Sequence, residues 1–575
     1  MRSVLALLFL PVALPAVLSV LAPAASAQDE AKAISQFKKA LQARLRNKEG
    51  DFKPRSEQIA IVSKREQALA LLNDYESANV AKALVRAFTS AEGDVYDIDA
   101  RRLEIDQELR EMHDRHYDKR QNKMVFRGKA GTALMAAYNA MRRESGDLRT
   151  VLDAVRRGLF DVGSRIGRLQ NLDTLAWMLK NVTGSRKYST RLKITVARTV
   201  GSGGAPMVDD MVTALSRTRR PDEIVALLDG IGLIGKDAKV AAPAIIKLLR
   251  HDKETVQERA ALALSTIAVA EAIHPMINLL AAVAGQTKRR VAAYLEALTR
   301  QQFGESVATW RRWYQEEGAD YLAGKHELGG GEPSHRKTTT AKNYYFGIPQ
   351  EGKSIVYIID SSGSMKQEID AKLLRKVRKA SGKGTASSGP KPESKKGGRG
   401  HKSTRLEACK NELIRALGLL SPDTEFNIIW FSDAAHPYKT AMFKATPGNV
   451  KAAQAWVRKL QPNSSTNIHD TLQLAFTFKD FGKKRRKARS RPRKNKYDVA
   501  PEFAFDTIFL LTDGSPTKPP GDKPDSTEKI LEGVKMWNAL KRVTIHCIGI
   551  GRGVNTPFMQ QLASANGGQF KHFLD

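Results

Sequence analysis

The spacing of apolar residues along this chain changes character several times. From Gln28 to about Ala91, stretches such as QALALLNDY and VAKALVRAF place apolar side chains three and four apart, which predicts helices. Asp97 to about Met124 keeps only sparse apolar positions (Leu103, Ile105, Leu109, Met112) among many charges, and predicts a long exposed helix or a short coiled coil. His113 and His116 share a face there, and with no third ligand type nearby they read as solvated side chains. From about Gly128 to Tyr321 amphipathic segments follow in pairs, and the later half repeats itself. VAAPAIIKLLR from Val240 matches AIHPMINLL from Ala272, and QERAALAL from Gln257 matches RRVAAYL from Arg289, a recurrence of about 31 to 32 residues. Helical units of that period bury their apolar faces only on one another and stack into an α-solenoid. Trp310 and Trp313 share a face of the closing helix, either capping the last apolar surface or offering a stacking surface for bases or sugars.

Gly324 to Lys342 is rich in turn residues and predicts a flexible linker. Beyond it the pattern shifts to short β-branched runs, SIVYIID, FNIIWF, TIFLL and VTIHCIGIG, separated by amphipathic helices. Strands buried on both faces and alternating with helices predict a doubly wound, mostly parallel α/β sheet. Such sheets bind ligands at their carboxyl edge. At the end of the first run stand Asp360, Ser362 and Ser364, spelling Asp-x-Ser-x-Ser. Thr466 lies at a helix entrance in NSSTNIHDTL, and Asp513 follows TIFLL in LLTDGSP.

This order of motifs resembles the von Willebrand factor type A (VWA) domain, whose metal-ion-dependent adhesion site uses Asp-x-Ser-x-Ser, a separate Thr and a separate Asp. The resemblance runs from about Tyr344 to Asp575, through IHCIGIG and FMQQLASANGG. It implies that the hydroxyls of Ser362, Ser364 and Thr466 touch a metal and that Asp360 and Asp513 act directly or through water. It also implies either that an acidic group on a protein partner completes the shell, or that the metal serves stability alone. Hydroxyl and carboxylate donors without Cys or His suit Mg²⁺, with Mn²⁺ or Ca²⁺ as alternatives. Asn463-Ser464-Ser465 stand where the family often has glycines, which implies a less compact loop. The helical pairs of Met207 to Leu298 are similar to HEAT repeats. The expected architecture is therefore multidomain and Rossmann-like at its end: a signal peptide (1–27), a helical region with a long charged helix (28–127), a HEAT-like solenoid (128–323), the linker (324–342) and a VWA domain (343–575).

The net charge of +33 is concentrated rather than spread over a folded face. Twelve basic residues against one acidic lie between Lys372 and Arg405, and eleven against one between Lys479 and Lys496. Both tracts, inserted at about 372–405 and 479–500, are too polar to offset their ordering entropy and are expected to be disordered. This distribution disfavours nucleic acid and leaves an acidic polysaccharide or another polyanion as the alternative partner.

Arg2, the apolar run from Val4 and Ala25-Ser26-Ala27 have the layout of a secretory leader. The run could otherwise stay as an anchor, although Pro11, Pro15 and Pro23 oppose a lasting helix. No second span follows, so the expected location is periplasmic, envelope-associated or secreted. Cys409 and Cys547 are too few for a disulfide scaffold and predict two separately buried thiols or a single bridge. Neither His-Glu-x-x-His nor Gly-x-Ser-x-Gly occurs. Gly230-Ile-Gly232-Leu-Ile-Gly235-Lys236 imitates a nucleotide-binding loop, but it follows the helical run DEIVALLDG instead of a strand and carries Asp237 where a hydroxyl belongs. The chain reads as a non-enzymatic adhesion or interaction protein with helical repeats as scaffold, the alternative being an envelope polyanion binder with a purely structural metal.

Overall fold

The computed structural model describes residues 27–118, 123–126, 130–329, 343–369, 375–376, 403–432, 435–439, 441–462, 466–476, 505–517, 526–538 and 543–574. Most of the expected leader, linker and basic tracts, and Asn463-Ser464-Ser465, lie outside them. Two compact units result, Met1–Ile166 and Gly167–Asp575.

The first unit contains α1 (Ala27–Gln42), α2 (Arg55–Ala70), α3 (Ala78–His116), an antiparallel pair β1 (Tyr117–Asp118) and β2 (Lys123–Met124), and α4 (Gly131–Gly167). Its core joins Ile61 and Val62 of α2, Ile98 and Ile105 of α3, and Leu148, Val151, Leu152 and Val155 of α4. The charged stretch after Asp97 is therefore not a freely exposed helix. Ile98 and Ile105 are fully buried, and burying such a side chain contributes about 1.5–3 kcal/mol. Salt bridges Arg101–Glu144 and Arg156–Asp99 link α3 to α4. Within α4, which falls in the span expected to begin the solenoid, Leu148 to Val155 pack on α2 and α3. Arg165, buried near the end of α4, donates to the carbonyls of Leu72, Asn73 and Tyr75 just past α2, satisfying acceptors that a helix end leaves open.

The second unit opens with the helices α5 (Leu172–Met178), α6 (Thr190–Ser202), α7 (Val208–Arg217), α8 (Pro221–Ile234), α9 (Ala242–Leu248), α10 (Glu254–Ile267), α11 (Ile273–Ala282), α12 (Gly285–Thr299) and α13 (Val307–Leu322). α6, α8, α10 and α12 lie side by side, each backed by the helix before it. Charged pairs cross this layer at nearly the repeat spacing: Lys193–Glu223, Arg198–Asp229, Asp229–Arg259 and Glu258–Arg290. The imitation nucleotide loop now has a packing explanation. Gly230 and Gly232 lie inside α8 and only Gly235, at φ +70°, ends it. A Cβ on Gly230 would stand 2.3 Å from the Ala197 carbonyl oxygen, so glycine is what lets α6 and α8 touch backbones. Trp310 is fully buried, with Nε1 donating to the Gly304 carbonyl, and caps the stack without a free face for stacking a ligand.

After the linker come the hairpin β3 (Tyr344–Tyr345) and β4 (Ile348–Pro349), then β5 (Ser354–Asp360), α14 (Arg405–Gly418), β6 (Glu425–Phe431), β7 (Ala435–Pro437), β8 (Phe443–Lys444), α15 (Pro447–Arg458) and α16 (Ile468–Ala475). β9 (Thr507–Thr512), α17 (Thr527–Trp537), β10 (Thr544–Ile550), α18 (Thr556–Ala565) and β11 (Phe570–Phe573) complete it. The sheet order is β11-β10-β9-β5-β6-β7, with β8 also on β6. β5, β6, β9, β10 and β11 run parallel, while β7 and β8 are antiparallel to β6. Ile355, Tyr357 and Ile359 face one core layer, and Val356 and Ile358 the other. Cys409 belongs to the first layer and Cys547 to the second, so the sheet separates two free, buried thiols.

The helical stack meets the amino edge of this sheet. Arg290 donates to the Thr544 hydroxyl at the start of β10, and Lys353, just before β5, pairs with Glu254. The opposite, carboxyl edge carries the candidate chemistry.

Candidate metal centre

Chain connections leave β5 in one direction toward β6 and return on its other side as β9, so the order reverses at β5. A crevice opens at such a reversal, and ligands bind there in open α/β sheets. Asp360 is the last residue of β5, and Asp513 directly follows β9. Both are buried.

The loop after β5 holds its shape through local bonds. Ser361 donates both its N–H and its hydroxyl to the Phe431 carbonyl at the end of β6. Asp360 Oδ1 accepts the Ser362 N–H at 2.7 Å, and Oδ2 accepts the Thr512 hydroxyl at 2.5 Å. The Ser362 and Ser364 hydroxyls lie 3.1 Å apart. Ser364 donates to Asp513 Oδ1 at 2.7 Å, with the Ser362 hydroxyl 3.5 Å from the same oxygen. Thr466 is buried and exchanges bonds with Thr517, its N–H donating to the Thr517 hydroxyl and its carbonyl accepting the Thr517 N–H. That exchange sets the Thr466 hydroxyl against Gly514, 3.8 Å from where a Cβ there would stand. Asn467 then caps α16 by accepting the Asp470 N–H.

All five sequence-predicted residues thus come together at the carboxyl edge of the sheet from three loops. Burial, and next the nearby charge of Asp513, push the Asp360 carboxyl up to about 7, against the lowering effect of bonds from Thr512 and Ser362. Two buried carboxylates flanked by hydroxyls, with no thiol or imidazole in the set, fit a hard divalent cation, which favours oxygen donors.

Two participants were missed. Thr512 orients Asp360 and is part of the β-strand run, where a threonine carries no signal of its own. Arg405, which places Nη1 3.1 Å from Asp513 Oδ2, stands at the end of the first basic tract in sequence, yet its side chain is only 7 % exposed. A second oxygen-and-imidazole cluster, Glu317, Asp320 and His326, lies elsewhere among the described residues. It is already satisfied internally, through Asp320–Lys325 and His326–Glu317 pairs.

The parallel strands, with helices between them and a reversal of strand order at β5, define a doubly wound α/β domain. Residues 396–572 match the family described as von Willebrand factor type A domain, and the chain carries a VWA domain there. Similar curated proteins include inter alpha-trypsin inhibitor, heavy chain 4, of Mus musculus, 25% identical over 221 residues that cover 38% of this chain and 18% of that protein. Inter-alpha-trypsin inhibitor heavy chain H3 of Bos taurus is 27% identical over 223 residues, covering 39% and 19%. The chain therefore spans less than a fifth of the length of these relatives. Among solved structures, a von Willebrand factor type A protein from Catenulispora acidiphila matches at 19% identity and a TM-score of 0.25, over 39% of this chain and 38% of that one.

Proposed function

We propose that this chain is an exported, non-enzymatic interaction protein that binds a protein partner through a divalent cation, Mg²⁺ foremost, with the helical stack as its scaffold. Asp360, Ser362, Ser364, Thr466 and Asp513 would hold the ion. The observation that carries this reading is their convergence at the sheet's switch point, with Ser362, Ser364 and Asp513 already in mutual contact. Bound there, the cation supplies an electrophilic centre that an acidic side chain of a partner can complete. The residues of the chain do the rest: Thr512 and the Ser362 N–H fix the Asp360 carboxylate, and the Thr466–Thr517 exchange holds the third loop in place. The stack docks at the amino edge, at the other end of the strands from these five residues. Export rests on the leader-like start of the sequence. Among the described residues no helix is long and apolar enough to cross a membrane.

The test is thermal unfolding of the full chain in Mg²⁺ and in EDTA, followed by capture from envelope and extracellular fractions under the same two conditions. A ligand that binds only the folded state, at about a hundred times its Kd, adds about 2.7 kcal/mol. Asp360→Ala and Asp513→Ala should remove both that increment and the EDTA-sensitive capture. A melting temperature indifferent to Mg²⁺ and EDTA would end the metal reading.

A further inference from the structure

Arg405 is the first residue of α14, immediately after its cap Thr404, and its guanidinium is buried against Asp513. That placement is costly twice over. A cation is withdrawn from water, and it sits at the positive end of a helix, where acidic side chains are the favourable choice.

The surroundings are shaped for it. Gly551, at φ +84°, turns bare backbone toward the guanidinium, and a Cβ there would stand 2.3 Å from Arg405 Cζ. The Gly551 N–H donates to the Phe573 carbonyl at 2.8 Å, which fixes this loop to β11. From the same loop Gly553 approaches the Asp513 carbonyl so closely that a Cβ would be 2.9 Å away. The turn after β10 thus closes over the Arg405–Asp513 pair.

We propose that Arg405 is the resident counter-cation of the metal site, setting its affinity and its appetite for acidic ligands. This deepens the metal reading and rests on it. With no divalent ion bound, the guanidinium offsets the charge of Asp513. With one bound, the two carboxylates alone would neutralise it, and the guanidinium leaves one positive charge over for an anionic group to balance. The site gives up metal affinity and gains electrophilicity.

The experiment uses the full chain and two neutral variants, Arg405→Met and Arg405→Gln, beside the charge-retaining Arg405→Lys. Mn²⁺ and Mg²⁺ binding is followed by calorimetry and by the Mn²⁺ paramagnetic resonance signal, then acetate is titrated into the Mn²⁺-loaded protein as a carboxylate probe. The neutral variants should bind Mn²⁺ at least about tenfold more tightly and take up acetate several-fold more weakly, while Arg405→Lys stays within about threefold of the parent. A purely structural arginine would give the opposite, weaker metal binding in every variant. If the parent binds Mn²⁺ and the neutral variants bind it equally or less well, the counter-cation role is overturned and the metal site stands. If the parent binds no metal, both fall. Arg405→Gln, which keeps an amide donor toward Asp513, serves should the methionine variant not fold.

Discussion

Ile369 donates its backbone N–H to the Ser403 carbonyl at 2.9 Å, so the two ends of the first basic tract meet beside the carboxyl edge of the sheet, where Glu368 and Thr404 also pair as an antiparallel bridge. The second tract closes in another way. The rings of Phe476, at the end of α16, and Phe505, before β9, lie 5.8 Å apart near the amino edge. Each insertion therefore departs from and returns to one point on the domain.

From this closure follows the first prediction: deleting Gly382 to Lys402, or Lys483 to Lys494, leaves the fold and its Mg²⁺ response intact. Loop entropy changes by only about 0.6 kcal/mol per doubling of length, so melting temperatures should shift little. The two deletions should differ in association kinetics. Charge anchored at the metal edge steers an acidic partner and is screened by salt, so the first deletion should slow binding and flatten its salt dependence, and the second should do so less. Equal effects of both deletions on association would count against metal-edge recognition.

The second prediction concerns pH. Asp360 is pushed up to about 7, above the range of an unfolded carboxyl, so the native metal-free protein holds this proton more tightly than the unfolded chain. Its contribution to stability is fully present below the ordinary carboxylate range and is lost as pH rises through about 7. Metal binding needs the carboxylate and runs the other way, so Mg²⁺ affinity measured by calorimetry should be markedly higher at about pH 8 than at about pH 5.5. Equal affinities would show that Asp360 does not titrate between them.

What the sequence disclosed about this site was whatever lay next to a strand end. Asp360, Ser362, Ser364 and Asp513 are tied to apolar runs that place them, and Thr466 to a helix entrance. Arg405 was hidden because charge counting assigns it to its neighbours in sequence, while its partner Asp513 is 108 positions away. The closing strand β11 escaped because FKHF has no apolar run, and it pairs by lying beside β10. The repeat period was legible from apolar positions. The ion pairs crossing it were not, because each joins side chains some 30 residues apart on different helices.

Glycine placement yields the third prediction. Gly230→Ala puts a methyl group 2.3 Å from the Ala197 carbonyl oxygen and 2.6 Å from Met211 Cε, and a backbone oxygen within a helix has little freedom to yield. Overpacking of this kind costs about 1–3 kcal/mol, read as a lower urea midpoint. Gly146, exposed within α4, has nothing within 4 Å of its virtual Cβ, and Gly146→Ala there should instead stabilise by about 0.5–1 kcal/mol. A neutral Gly230→Ala would mean that α6 and α8 do not touch backbones.

The fourth prediction turns on an asymmetry in the repeat layer. Lys193 is fully buried, with Nζ 3.1 Å from Glu223 and 3.5 Å from Asp222. Glu223 has more company, since Arg220 lies 2.7 Å from it and the Thr218 hydroxyl donates to its other oxygen. Removing Lys193 therefore leaves the carboxylate paired, whereas removing Glu223 leaves an ammonium in the core with one distant partner. Breaking a buried pair so that a charge is stranded costs about 3–5 kcal/mol, so Glu223→Leu should fall at or above that range and Lys193→Met well below it. The double variant, having no stranded charge, should be more stable than Glu223→Leu alone. Urea unfolding of the three proteins decides the matter, and equal losses for the two single variants would mean that Lys193 finds its compensation somewhere other than Glu223.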